Sequence, residues 1–268
     1  MPLSNQIKRI AIGSFDGIHL GHQALLSHVD ALVIIERNGG YLTPGYRRSE
    51  CTDKVCFFYD FEKIKSLTPQ AFIDQLGRDF PALRMIVVGY DFHFGKDKVG
   101  DAQMLNALCD KEIMIVPQVS VDGIPVHSRT IKAFLREGKI TLVNQLLGRN
   151  YTIIGNIISG QGLGKKSLVP TLNLHIESYQ LPLEGVYATR TKIAQEWFDS
   201  VSFLGHRVTT DDSYAVETHI LEKEIGEVTG EVTVAFVDFI RENQKFDSLE
   251  ALKAAIENDI TCAKTRLI

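Results

Sequence analysis

Two histidines three residues apart, His19 and His22, lie inside the glycine-punctuated run Gly13-Ser14-Phe15-Asp16-Gly17-Ile18-His19-Leu20-Gly21-His22. With that spacing both imidazoles can face one opening, and each can donate a hydrogen bond to a phosphate oxygen, more strongly as charge builds there. The preceding Arg9-Ile10-Ala11-Ile12 reads as a buried strand running into glycine. The apolar positions Leu25, Leu26 and Val29 give helical spacing over His22 to Val29. Amides at a helix start carry partial positive charge and point at an anion. Gly13, Gly17 and Gly21 permit close backbone approach and positive φ. A lone His-x-x-His pair is an ordinary surface feature; strand, glycine turn and helix together point to phosphate binding.

A second constellation lies past the middle of the chain. Gly160, Gly162 and Lys165 belong to a glycine- and lysine-rich loop, followed by Pro170-Thr171-Leu172-Asn173-Leu174. Glycines with lysines suit a phosphate-wrapping loop. A threonine hydroxyl and an asparagine carboxamide are hard oxygen donors suited to Mg²⁺. Taken alone, such a loop is also what an ordinary hairpin connection looks like.

The elements that must position these groups fall into two patterns. Up to about residue 148, short apolar runs (Leu32–Ile35, Met85–Val88, Ile113–Val116) alternate with helix signals, among them Thr68-Pro69 as N-cap and first helical position. This is the pattern of a parallel sheet covered on both faces, an α/β domain over 1–148. From Tyr151 onward, β-branched and aromatic runs such as Tyr151–Ile154, Gly185–Thr189 and Glu231–Phe236 are broken by Gly, Pro and Asp. These predict an antiparallel barrel over 149–268, closed by one C-terminal helix. Asp247 and Glu250 predict a capping-box start for that helix, and Leu249, Leu252, Ile256 and Ile260 its packing face.

Bulk properties narrow the field. The chain has 268 residues, 44% hydrophobic and 23% charged, with a formal net charge of −4. That is enough for two cores, and it offers no bulk basic surface for nucleic acid or membrane. The four cysteines form no Cys-x-x-Cys pair, so reduced thiols in a cytoplasmic protein are expected rather than disulfides or zinc. No apolar run reaches membrane-span length, and Met1 to Arg9 lacks the apolar core of a signal peptide. Small-molecule partners follow; the sequence leaves the oligomeric state open.

The motifs resemble one family. Gly13 to Gln23 is similar to the G-x-F-D-G-x-H-x-G-H-Q signature of bacterial bifunctional riboflavin kinase/FAD synthetases, and Val88-Gly89-Tyr90-Asp91-Phe92-His93-Phe94-Gly95 to their V-G-x-D-F-R-F-G. His127-Ser128-Arg129-Thr130-Ile131-Lys132 stands where S-S-T-x-I-R is expected, with Lys132 for arginine. Residues 36–66 look short, and the F-D-P-H-P stretch has no match. In the second half, Gly155 to Leu174 resembles G-R-x-L-G-x-P-T-A-N, with Lys165 for arginine and Leu168 for a glycine. Pro182 with Gly185-Val186-Tyr187-Ala188 resembles P-x-x-G-V-Y-A, and Val216-Glu217-Thr218-His219-Ile220-Leu221 resembles V-E-x-H-L-L.

The resemblance implies a Rossmann-like nucleotidyltransferase domain of the HIGH type, followed by a riboflavin kinase barrel. It implies riboflavin phosphorylation to FMN, then adenylylation of FMN to FAD with release of pyrophosphate, both with Mg²⁺ and ATP. By position, ATP would meet Gly13, Ser14, Phe15, Asp16, Gly17, His19, Gly21, His22, Ser128, Arg129 and Lys132 in the first half. In the second half it would meet Gly160, Gly162, Lys165, Thr171 and Asn173. Asp91, Phe92, Gly185 and Tyr187 would meet the flavin, Thr171 and Asn173 the metal, and Glu217 would be the general base. Two other readings stay open: one activity alone, or a flavin- and nucleotide-binding protein without turnover.

Overall fold

In the first half the chain runs β1 (Arg9–Gly13), α1 (Leu20–Leu26), β2 (Ala31–Glu36), β3 (Val55–Asp60), α2 (Phe61–Ile64), α3 (Pro69–Asp79), β4 (Met85–Gly89), a short pair β5 (His93–Phe94) and β6 (Gly100–Asp101), α4 (Ala102–Leu108), β7 (Glu112–Val116) and a second short pair β8 (Ser120–Val121) and β9 (Ile124–Pro125). The structure, a computed structural model, describes residues 3–37, 41–158, 169–207, 214–223 and 225–268.

The five longer strands form one sheet in the order β3-β2-β1-β4-β7, and every neighbouring pair is parallel. The continuous apolar runs are buried on both faces, as the sequence pattern requires: Ile10, Ala11, Ala31 to Ile34 and Ile86 to Val88 are all 0% exposed. β3, at one edge of the sheet and half-buried along its length, is a strand the sequence reading did not name. Thr68 caps α3 by accepting from the Ala71 amide, with Pro69 at the first turn, as its sequence signals. α1 begins at Leu20 rather than His22, because His19 is its N-cap.

The second half runs α5 (Ser128–Arg136), α6 (Ile140–Leu147), β10 (Tyr151–Ile158), β11 (Leu172–Ile176), β12 (Gly185–Ile193), β13 (Glu196–His206), β14 (Tyr214–Ile220), β15 (Glu231–Glu242) and α7 (Leu249–Leu267). The six strands close into a barrel in the order β10-β11-β14-β13-β12-β15, with every paired neighbour antiparallel. Closure leaves no sheet edge open to another chain.

Chain contacts divide the molecule into Met1–Ser128 and Arg129–Ile268. α6 goes with the barrel: the Asn144 carboxamide donates to the Phe236 carbonyl and accepts from the Tyr151 amide. Gly148, with φ +70°, is the left-handed cap that ends α6. The change of pattern near 148 therefore marks the first barrel strand, twenty residues after the contact division.

Two details of α7 differ from expectation. Its N-cap is Ser248, whose hydroxyl accepts from the Ala251 amide, rather than Asp247. Leu249 is 55% exposed, and the face turned inward is Asp259, Ala263 and Leu267 with Ile260 beside them. Asp259 is acceptable there because Arg241 pairs with both of its carboxylate oxygens, at 2.9 and 2.7 Å.

Candidate active sites

β1 has β2 on one side and β4 on the other, and the chain builds the sheet outward from it in both directions. The crevice beyond the carboxyl ends of β1 and β4 is therefore the topological switch point, where open α/β sheets bind ligands. The glycine run leaves β1 into this crevice. Of its three glycines only Gly17 takes positive φ, at 87°. Gly21 is needed for space instead, since a Cβ there would lie 3.0 Å from the Val126 carbonyl oxygen and 3.2 Å from the His19 ring. Phe15 and Ile18 also adopt the left-handed region, with φ 49° and 40°. For a β-branched residue this is strained backbone. Both side chains are 0% exposed in the core beneath the turn, and their burial offsets the strain.

The two histidines come together. Their rings stack with centroids 3.6 Å apart. His19 Nδ1 accepts from the His22 backbone amide at 3.3 Å. That acceptor role leaves Nδ1 without a proton, so in the neutral ring the donor is Nε2–H. Asp16 faces elsewhere: its carboxylate accepts from the backbone amides of Leu42 at 2.8 Å and Thr43 at 3.1 Å, and the residue is 5% exposed. Its carbonyl accepts from the Ser128 hydroxyl at 2.8 Å, so Asp16 ties three segments of the first unit together. Ser14 is exposed beside it. Arg129 and Lys132 stand three apart on α5 and belong to the second unit.

At the end of β4, Asp91 is exposed, while Phe92 stacks on Phe94 and packs against the sheet's core. The next group is one the sequence did not single out. The Tyr90 hydroxyl lies 3.0 Å from His127 Nε2, and His127 Nδ1 lies 3.8 Å from an Asp91 carboxylate oxygen. Also unanticipated is Arg48, a fully buried guanidinium paired with Glu36 at the end of β2 and donating to the Thr43 carbonyl. It braces the segment that Asp16 holds.

In the barrel unit, Asn173 and Glu217 are direct partners across β11 and β14. Arg207, which sequence reading passed over, joins them. Its guanidinium donates to Asn173 Oδ1 at 2.8 Å and to Glu217 Oε1 at 2.7 Å. Thr171 lies just ahead of β11, two residues before Asn173. The Asn173 oxygen accepts from the Arg207 guanidinium in this structure. Gly160, Gly162, Lys165 and Leu168 lie outside the described residues.

Gly185 and Tyr187 have packing duties. A Cβ on Gly185 would lie 2.4 Å from the Arg241 carbonyl oxygen. Tyr187 is 0% exposed, its hydroxyl donates to the Leu183 carbonyl, and burial raises its phenol above the usual range.

Two stacked histidines at a switch point in one unit, and a carboxylate paired across strands with a carboxamide on a barrel in the other, are groups of the kind a nucleotide-dependent transferase needs. The comparisons make this specific. The family model described as FAD synthetase matches residues 2–36 and 48–130, and the one described as riboflavin kinase matches 147–267. Two relatives, both bifunctional riboflavin kinase/FMN adenylyltransferases, are 30% identical. The one from Pseudomonas fluorescens matches over 94% of this chain and 91% of its own, and the one from Mycoplasma pneumoniae over 95% and 96%. A relative of the same description from Escherichia coli K12 is 27% identical over 95% of this chain and 91% of its own. The chain belongs to the bifunctional riboflavin kinase/FMN adenylyltransferase family. A solved structure described as a macrolide-efflux protein from Streptococcus pneumoniae superposes with a TM-score of 0.85 over 97% of this chain and 96% of its own, at 24% identity; this likeness shows the fold. The stretch 37–47, skipped by the FAD synthetase match, falls in the region whose shortness the sequence suggested.

Proposed function

We propose that this chain performs both reactions of its family, each in its own unit. The observation that carries the reading is the pairing, in each unit, of the groups the chemistry needs: His19 stacked on His22 at 3.6 Å, and Asn173 opposite Glu217.

In the first unit, an FMN phosphate oxygen attacks the α-phosphorus of ATP and pyrophosphate leaves. No covalent enzyme intermediate is required, so the protein's work is alignment and charge stabilisation. His19 and His22 hold ATP phosphates by donating hydrogen bonds that strengthen as charge develops. Asp16 and Ser128 act on the turn rather than on the nucleotide. Asp91 faces the acceptor side.

In the barrel unit, the Glu217 carboxylate takes the proton of a ribityl hydroxyl as its oxygen attacks the γ-phosphorus, and ADP leaves. Arg207 fixes the rotamers of Glu217 and Asn173. Thr171 and Asn173 would hold Mg²⁺, which neutralises phosphate charge when bound. Gly185 and Tyr187 are assigned to the barrel wall and not to flavin contact. We place these small-molecule reactions in the cytoplasm, which fits the thiol-only cysteines; no helix among the described residues is long and apolar enough to cross a membrane.

The test is to give the purified protein Mg-ATP with either riboflavin or FMN and to separate the products. Riboflavin should give FMN and then FAD, and FMN should give FAD with pyrophosphate. FMN returned unchanged would remove the adenylyl half.

A further inference from the structure

An adenylyltransferase must hold two substrates at one edge of the sheet, and the acceptor here carries a flat three-ring system. Such a ring needs an exposed flat apolar surface, preferably one that is already ordered. Around the ends of β1 and β4, Phe15 is 0% and Phe94 5% exposed, and Phe92 has its face against Phe94. Tyr90 differs: it is 43% exposed. Both ends of it are fixed, since its amide donates to the Val116 carbonyl at 3.0 Å and its hydroxyl meets His127 Nε2 at 3.0 Å. His127 is itself flanked by Asp91, and its side chain is 16% exposed. The three residues form a chain, Asp91–His127–Tyr90, that holds an exposed aromatic ring just past the end of β4. Neither partner follows from the family signatures, which leave position 90 open and place serine at 127.

Building on the adenylyltransferase reading, we propose that Tyr90 is the stacking surface for the flavin ring of the acceptor nucleotide and that His127 is the positioning residue that fixes it. The ring held in one orientation loses little freedom when the flavin stacks on it.

Steady-state adenylylation with varied FMN tests this. Tyr90→Ala should raise KM for FMN about tenfold, the size of an aromatic stacking contact, with kcat and KM for ATP within about twofold. Tyr90→Phe and Tyr90→Trp should restore KM to within about threefold, since they keep the ring. His127→Ser should fall between, because the ring remains but its anchor is lost. An unchanged kcat and KM for ATP, read from the same unit, report that each variant is folded. Wild-type KM for FMN in Tyr90→Ala, or a Trp variant as poor as the Ala variant, would overturn the proposal while leaving adenylyl transfer intact. Failure of the wild type to convert FMN to FAD would overturn the underlying reading and this proposal with it.

Discussion

Asp16 shows how one side chain in a nucleotide-binding motif can act at a distance from the nucleotide. Its carboxylate accepts two backbone amides from residues 42 and 43. Such hydrogen bonds to a charged acceptor contribute about 2 kcal/mol where buried. Asp16→Ala should therefore lower stability to urea by about that amount and raise KM for ATP, because the strained turn through Phe15 and Ile18 loses its brace. Asp16→Asn keeps an acceptor oxygen and should lose less than half as much. Equal losses in the two variants would show that charge, not acceptance, is what matters. At this scale the sequence was most informative about residues in motifs and least about lone ones. His19, His22, Asn173 and Glu217 were legible because their neighbours repeat a known pattern. Arg207, Arg48 and Tyr90 are single residues whose partners lie 10, 12 and 37 positions away, and no local periodicity reveals a contact of that range.

Among the elements, the barrel's inward faces carry an unexpected feature. Thr189, Thr191, Ser200, Ser202 and Thr218, from β12, β13 and β14, are at most 1% exposed. Their hydroxyls bond in a closed circuit, Thr189–Ser200–Thr191–Thr218–Ser202 and back to Thr189. A ring of hydroxyls lets each donate once and accept once, so burial leaves none unsatisfied. The ring also pins the register of β14, the strand that carries Glu217 on its other face. Thr191→Val opens the ring at two bonds and should destabilise the barrel unit by about 1–3 kcal/mol in denaturant unfolding. Thr191→Ser should cost less than about 1 kcal/mol, as it keeps the hydroxyl. A valine variant as stable as wild type would mean the ring is incidental. The long buried strands were readable from apolar runs. This polar interior was not, because alternation records burial only when the buried face is apolar.

At the level of the whole molecule, the fold class followed from the change of pattern along the chain: parallel strands between helices, then short antiparallel strands. The attachment of α6 was not legible, because α6 resembles the helices before it in sequence yet packs on the barrel through Asn144. The central claim is that the two reactions use separate residues in separate units. The most direct measurement is a crossed one: FMN formed from riboflavin, and FAD formed from FMN, in His22→Ala and in Glu217→Gln. His22→Ala should lose about a hundredfold in FAD formation, as for the loss of one charge-stabilising donor, with riboflavin phosphorylation unchanged. Glu217→Gln should lose at least about a hundredfold in riboflavin phosphorylation, as for the loss of a general base, with FAD formation from FMN unchanged. Parallel loss of both reactions in either folded variant would contradict the account.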